Sequence, residues 1–177
     1  MRFAELIARH NPSQSHWELN ELLEDLDRRR LTGPAIDIGA HRGGSARVWR
    51  DVLRSEIVVA IDWNLDMLEG DLERIVPILG RSQDVATHAE VQRCLSRRPV
   101  DFLFIDGGHL RGEVLADFAS YGPLVRPGGA IALHDVAVRE NPDCEVYLVW
   151  DELRHGRRSK EIREGALPGT GIGVIYP

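Results

Sequence analysis

Five short apolar runs, each leading into polar residues, constrain this chain more than any other feature. They are Ala35-Ile36-Asp37-Ile38-Gly39, residues 57–62 ending at Asp62, residues 76–79, residues 100–106 ending at Asp106, and residues 130–135 ending in His134-Asp135. The run Ile57-Val58-Val59-Ala60-Ile61 is β-branched and wholly apolar, the composition of a strand buried on both faces of a parallel sheet. Strands that alternate with helical segments form right-handed βαβ units. The expected architecture is therefore α/β: a Rossmann-like three-layer sandwich around a mostly parallel seven-stranded sheet, with one antiparallel strand near the C-terminus.

The segments between the strands carry helical spacing. Leu19, Leu22, Leu23 and Leu26 predict a helix over 16–30, with Ser15 and Glu18 as a capping box. Further helices are expected over 45–54, through Leu65, Leu68 and Leu72, over 85–96, through Val114 to Tyr121, and through Val146 to Leu153. Pro77 places the third strand at an edge or a strand start, Arg126-Pro127-Gly128-Gly129 predicts a turn before the fifth, and two final strands are expected near 161–164 and 171–176. One domain fits the 177 residues: a helical cover over 1–31, a cofactor-binding core over 35–136, and a C-terminal helix with strands over 137–177.

Composition narrows the function. Lys plus Arg number 22 against 28 Asp plus Glu, a net charge of −6, and the basic residues fall in small clusters, so no broad positive face for nucleic acid is expected. No apolar run approaches the ~20 residues that span a bilayer, and the N-terminus lacks a signal-peptide core, so a cytoplasmic protein without membrane attachment is expected. Cys94 and Cys144 have the spacing of neither a disulfide framework nor a zinc knuckle.

Polar residues cluster where successive strands end. Ligands of open α/β sheets bind outside the carboxyl ends of the strands, where the strand order reverses. After the first strand comes Gly39-Ala40-His41-Arg42-Gly43-Gly44-Ser45, a glycine-rich loop opening a helix, which suits a nucleotide-like ligand. Its glycines lack the dinucleotide spacing, and Asp37 ahead of them would repel a pyrophosphate but suit a cation. At the end of the second strand Asp62 can accept hydrogen bonds from ribose hydroxyls.

The pattern Asp37-x-Gly39-x-x-x-Gly43-Gly44-Ser45 followed by Val59-Ala60-Ile61-Asp62 resembles the class I S-adenosyl-L-methionine-dependent methyltransferases. Phe104-Ile105-Asp106-Gly107-Gly108-His109, Arg126-Pro127-Gly128-Gly129 and Leu133-His134-Asp135 resemble, within them, the branch of cephalosporin-hydroxylase-like proteins and metal-dependent sugar O-methyltransferases. This resemblance implies that Asp37, Gly39, Ala40 and Gly43 to Ser45 hold the methionine part of the cofactor, Asp62 with Trp63 the ribose side, and Asp84 the adenine amino group, with Asp106 at the cleft. Asp84 stands in Arg81-Ser82-Gln83-Asp84, where the family reads Gly-Asp-Ser. The resemblance also implies a divalent cation on Asp106, His134 and Asp135, and His109 as base. His134 departs from the acid usual there. Magnesium is the expected ion, although imidazole equally suits manganese, iron, nickel or zinc.

An alcohol is too weak an acid to ionise unaided. A hard cation between Asp106 and Asp135 would lower its pKa, and His109 could take the proton near neutral pH. The expected activity is methyl transfer to a hydroxyl of a small-molecule acceptor. Two other readings stay open: Asp106, His109 and His134 as a two-histidine, one-carboxylate iron site of a hydroxylase-like protein, and a cofactor-binding subunit without catalysis. With four tryptophans and a short C-terminus, the chain could also complete its pocket as a homodimer.

Overall fold

A computed structural model describes residues 2–165 and 169–177. In chain order the elements are α1 (Ala4–His10), α2 (His16–Arg28), β1 (Ala35–Ile38), α3 (Gly44–Val52), β2 (Val58–Asp62), β3 (Ile75–Leu79), α4 (Val85–Cys94), β4 (Val100–Ile105), α5 (Arg111–Tyr121), β5 (Val125–His134), α6 (Val146–Leu153), β6 (Ser159–Ile162) and β7 (Ile172–Ile175). The strands form one seven-stranded sheet in the order β3-β2-β1-β4-β5-β7-β6. β1 to β5 are parallel, and β7 runs antiparallel to both of its neighbours.

Side chains alternate across the sheet and divide the core in two. Phe102, Phe104, Ala35 and Val58 face α1, α2 and α3, packing on Leu19, Leu22, Leu26 and Trp49. Ile36, Leu103, Ile105 and Val59 face α4, α5 and α6, packing on Val91, Val114, Tyr121 and Trp150. The internal strands are thus largely apolar on both faces, as the sequence of residues 57–61 requires, with Asp37 of β1 and Asp101 of β4 as buried acids within them. Pro77, which has no N–H to give, lies on β3, an edge strand paired only with β2.

Three local expectations need correction. No helix forms through Leu65, Leu68 and Leu72; residues 63–74 are turns and bends. There Asp62 Oδ1 accepts from the N–H of Asn64, Asn64 Oδ1 from that of Asp66, and Asp71 Oδ1 from that of Glu73, local bonds that compete with a helix. Residues 126–129 are part of β5 rather than a turn ahead of it. The β4–β5 register shifts between Val100 and Phe102, Gly128 adopts φ +80, and a Cβ on Gly129 would lie 2.7 Å from the Asp101 carbonyl oxygen. The capping box is only half formed: Ser15 Oγ accepts from the Glu18 N–H, while the buried Glu18 carboxylate accepts instead from Thr170 Oγ1 (2.8 Å) and the Gly171 N–H (2.9 Å), tying α2 to the start of β7.

Candidate active site

The chain steps outward from β1 through β2 to β3, then crosses back to β4 and β5, so the order reverses between β1 and β4. Their carboxyl ends meet there. Gly39 adopts φ +89, and a Cβ would overlap the Asp106 carbonyl oxygen outright, so only glycine lets the loop after β1 lie against the end of β4.

A cleft of about 960 Å³ opens at this junction. Of the residues expected to bind a cofactor, Gly39, Asp62, Trp63, Asp84 and Asp106 line it. Asp62 remains accessible, with Oδ2 accepting from the His41 N–H (2.8 Å). Trp63 is 75% exposed, a large aromatic surface left in the cleft wall. Asp84 is the N-cap residue of α4 but makes no side-chain capping bond, which leaves its carboxylate free for a ligand.

Asp37, Ala40, Gly43, Gly44 and Ser45 do not line the cleft. Asp37 is fully buried beneath the loop and accepts from Ser45 Oγ (2.7 Å) and Trp49 Nε1 (3.1 Å). Burial pushes its carboxyl up to about 7, Asp106 and Asp62 adding to the rise while the two hydrogen bonds restrain it. Ala40 is buried, its N–H bonded to the Ile61 carbonyl. Gly43, at φ +76, lets the chain enter α3. Gly44 makes room for the connector between α1 and α2, since a Cβ would stand 2.7 Å from Pro12 Cα.

Past the cleft, Asp106, His134 and Asp135 place one donor atom each within 4.8 Å of one another. His134 Nδ1 lies 3.0 Å from Asp106 Oδ1 and 3.3 Å from Asp135 Oδ2. Burial opposes the imidazolium, but the two carboxylates carry His134 up to about 10. Despite its own burial, Asp135 is held well below the usual carboxylate range by hydrogen bonds from His109 and His134. Asp135 has φ +62, an unfavourable backbone conformation for a non-glycine residue, at the point where it joins the cluster. His134 Nε2 is buried without a partner. The imidazolium balances the two carboxylates here; once it gives up its proton, two carboxylates and an imidazole with one buried nitrogen unpaired among the described residues fit a divalent cation.

His109 stands outside that group, half exposed, with Nε2 3.0 Å from Asp135 Oδ2. The hydrogen bond to Asp135 raises its pKa above the ordinary histidine value, although partial burial works against the charge. Asp106, His109 and His134 therefore do not form the ligand triad that an iron site would need. A second cleft, of about 940 Å³, is lined by the residues that follow Asp135 in the chain, Ala137, Val138, Arg139 and Asn141, together with Ser15, Glu18 and Thr170.

Sequence reasoning missed several cleft residues. Arg81 and Gln83 share the loop of Asp84, so proximity to the end of β3 could have found them; Met67 and Glu113 also line the cleft. Gln14, whose Nε2 donates to Asp106 Oδ2, carries no local signal at all.

Strand order, reversal point and acid-lined cleft together define a Rossmann-like nucleotide-binding domain of the class I methyltransferase type. Residues 36–136 match the family described as a methyltransferase domain, and the chain belongs to that family. It is 33% identical over 108 residues to mycinamicin VI 2''-O-methyltransferase of Micromonospora griseorubida, covering 57% of this chain and 26% of the relative. Demethylmacrocin O-methyltransferase of Streptomyces fradiae is 28% identical over 106 residues, again 57% of this chain and 26% of the relative. The chain thus spans about a quarter of the length of these curated relatives. Among solved structures, a methyltransferase of the mycinamycin biosynthetic pathway in complex with Mg, SAH and mycinamycin VI superposes with TM-score 0.67 at 21% identity, covering 98% of this chain and 54% of that one. A caffeoyl-CoA O-methyltransferase-like protein from Staphylococcus aureus gives TM-score 0.71 at 14% identity, covering 99% and 90%. At such identities these two structures show the fold.

Proposed function

We propose that this chain is an S-adenosylmethionine-dependent O-methyltransferase domain acting on a hydroxyl of a small molecule, with a divalent cation on Asp106, His134 and Asp135 and with His109 as base. One observation carries the reading: Asp106 belongs at once to the cleft that holds Asp62 and Asp84 and to the cation-ligating group beside His109. The names of the relatives, and the magnesium and SAH bound in a structural neighbour, agree with it. Residues 35–136 would form the cofactor core, covered by 1–31 and completed by 137–177.

Asp62 would accept hydrogen bonds from ribose hydroxyls, and Asp84 one from the adenine amino group. Trp63 supplies an apolar wall. When bound, the donor supplies an electrophilic methyl group, and the cation lowers the pKa of the acceptor hydroxyl and orients it. His109 Nε2 donates to Asp135 Oδ2, which leaves Nδ1 of the neutral ring as the nitrogen that takes the hydroxyl proton. The acceptor would enter from the second cleft, whose lining includes Ala137, two residues past Asp135 in the chain. Holding donor and acceptor in line can itself supply several powers of ten in rate.

The test is calorimetric titration with S-adenosylmethionine, S-adenosylhomocysteine and NAD, each with magnesium and with a chelator. Binding of the first two and not of NAD is expected, and replacing Asp62 with Ala should weaken it. Binding of NAD alone would overturn the proposal.

A further inference from the structure

Gln14 lies in the connector between α1 and α2, outside the 36–136 segment that defines the family. Its side chain is buried, with 7% exposure, and touches the cation group directly: Nε2 donates to Asp106 Oδ2, while His134 Nδ1 holds Asp106 Oδ1. The carboxylate is thus gripped on one oxygen from β5 and on the other from a residue 92 positions earlier in the chain.

A second observation marks this contact as more than packing. Among the described residues, Gln14 Oε1 is buried with no hydrogen-bond partner, as is His134 Nε2. A buried amide oxygen without a partner is destabilising, and such groups are rare enough to call for an explanation. Two orphaned polar atoms therefore sit on the two side chains that grip Asp106.

The connector is also built to deliver Gln14. His10 Nε2 lies 2.7 Å from Asp51 Oδ2, and Arg47 Nη2 donates to the His10 carbonyl at 3.5 Å. Gly44 allows the backbone of Pro12 to rest on the start of α3. The buried Arg47 guanidinium also donates to the carbonyls of Arg42 and Glu69, so one side chain fixes the connector, the first loop and the 63–74 segment together.

The geometry points to Gln14 as a positioning residue of the cation centre: it fixes the orientation of the Asp106 carboxylate and leaves Oε1 as an acceptor for a water or hydroxyl carried by the ion. A divalent magnesium ion keeps several waters, so neutral oxygen acceptors around it are useful without adding charge. Outer partners that orient a ligating carboxylate typically control 10–100-fold in metal affinity. This inference rests on the proposed cation site.

The experiment titrates the full chain with Mn2+ alone, followed by electron paramagnetic resonance and calorimetry, for wild type, Gln14→Ala and Gln14→Met. Methionine retains the length and much of the volume of glutamine but not its polar amide, so it keeps the test decisive if the alanine variant fails to fold. Expected is about 10–100-fold weaker Mn2+ binding in Gln14→Met, with circular dichroism in chelator matching wild type, so that the loss is not one of folding. Mn2+ affinity in Gln14→Met within twofold of wild type would overturn the role of Gln14 and leave the proposed site standing. A wild type that binds no Mn2+ would overturn both.

Discussion

Replacing Asp37 with Asn should remove a pH dependence of stability that the fold builds into its first strand. The carboxyl is fully buried and pushed from 3.8 up to about 7, chiefly by loss of solvent. Between these values the native state holds a proton that the unfolded state has released, so stability falls as pH rises. One pKa unit corresponds to about 1.36 kcal/mol, so a rise of roughly three units is worth about 4 kcal/mol in total, of which about 2 to 3 kcal/mol falls between pH 5 and 8. Asparagine suits the site. Its carbonyl can accept from Trp49 Nε1, and its amide can donate to Ser45 Oγ, a hydroxyl that either gives or takes a hydrogen bond. Thermal and urea melts of ligand-free wild type and Asp37→Asn at pH 5 and pH 8 read the effect. The variant should gain about 2 to 3 kcal/mol on wild type between the two pH values, or roughly 5–10 °C in Tm for a chain of this size. Asp117, raised to about 6 by burial, and His134 are common to both proteins and cancel in the difference. A stability difference that is the same at both pH values would refute the reasoning, because it would mean Asp37 is charged in the native state.

Two further outcomes follow from the site. Gly39→Ala should cost at least about 2 kcal/mol in melts and weaken S-adenosylhomocysteine binding, since the positive φ and the overlap with the Asp106 carbonyl both force β1 and β4 apart; a melt within 1 °C of wild type would contradict the close approach. His109→Ala should lower kcat by about 10²–10⁴-fold with little change in KM, and an NMR titration of the metal-free wild type should find the His109 imidazole protonated above the ordinary histidine value, because Asp135 favours its charged form. Activity that survives the substitution would remove His109 as the base.

How much of this was legible depended on whether the deciding contacts were local. β1, β2 and β4 could be read because strands buried on both faces are apolar at most positions, Asp37 and Asp101 apart, and the polar residues that follow them had to lie on one rim once the strands were parallel. Asp62, Asp84 and Asp106 accordingly line one cleft, and Asp106 also lies beside His134 and Asp135. The leucines of 65–72 misled, because Asn64 and Asp71 cap their own backbone while Arg47 and Arg50 Nη1 take the carbonyls of the same segment. Asp37, Gly44 and Ser45 were expected at a ligand, yet the protein uses them on itself: a buried carboxylate held by Ser45, and a glycine against Pro12. Nothing near residue 14 in the sequence announces a partner 92 residues away.

The division between matched and unmatched sequence follows the two sides of the site. Every residue cited as lining the 960 Å³ cleft lies within 36–136, and the strand reversal that creates the cleft lies there as well. The second cleft is built from Ser15 and Glu18 on one side and residues 137–141, 163–164 and 169–170 on the other, all outside the matched segment. Glu18 holds these parts together through Thr170 and Gly171. Asp106 is the joint between the sides, reached from the cofactor cleft by the close approach of Gly39 and from the connector by Gln14. Under the proposed function, a donor common to the family would be gripped by the matched half, and the acceptor would be discriminated by the half outside that match, with its Arg139, Glu140, Asn141 and Arg163.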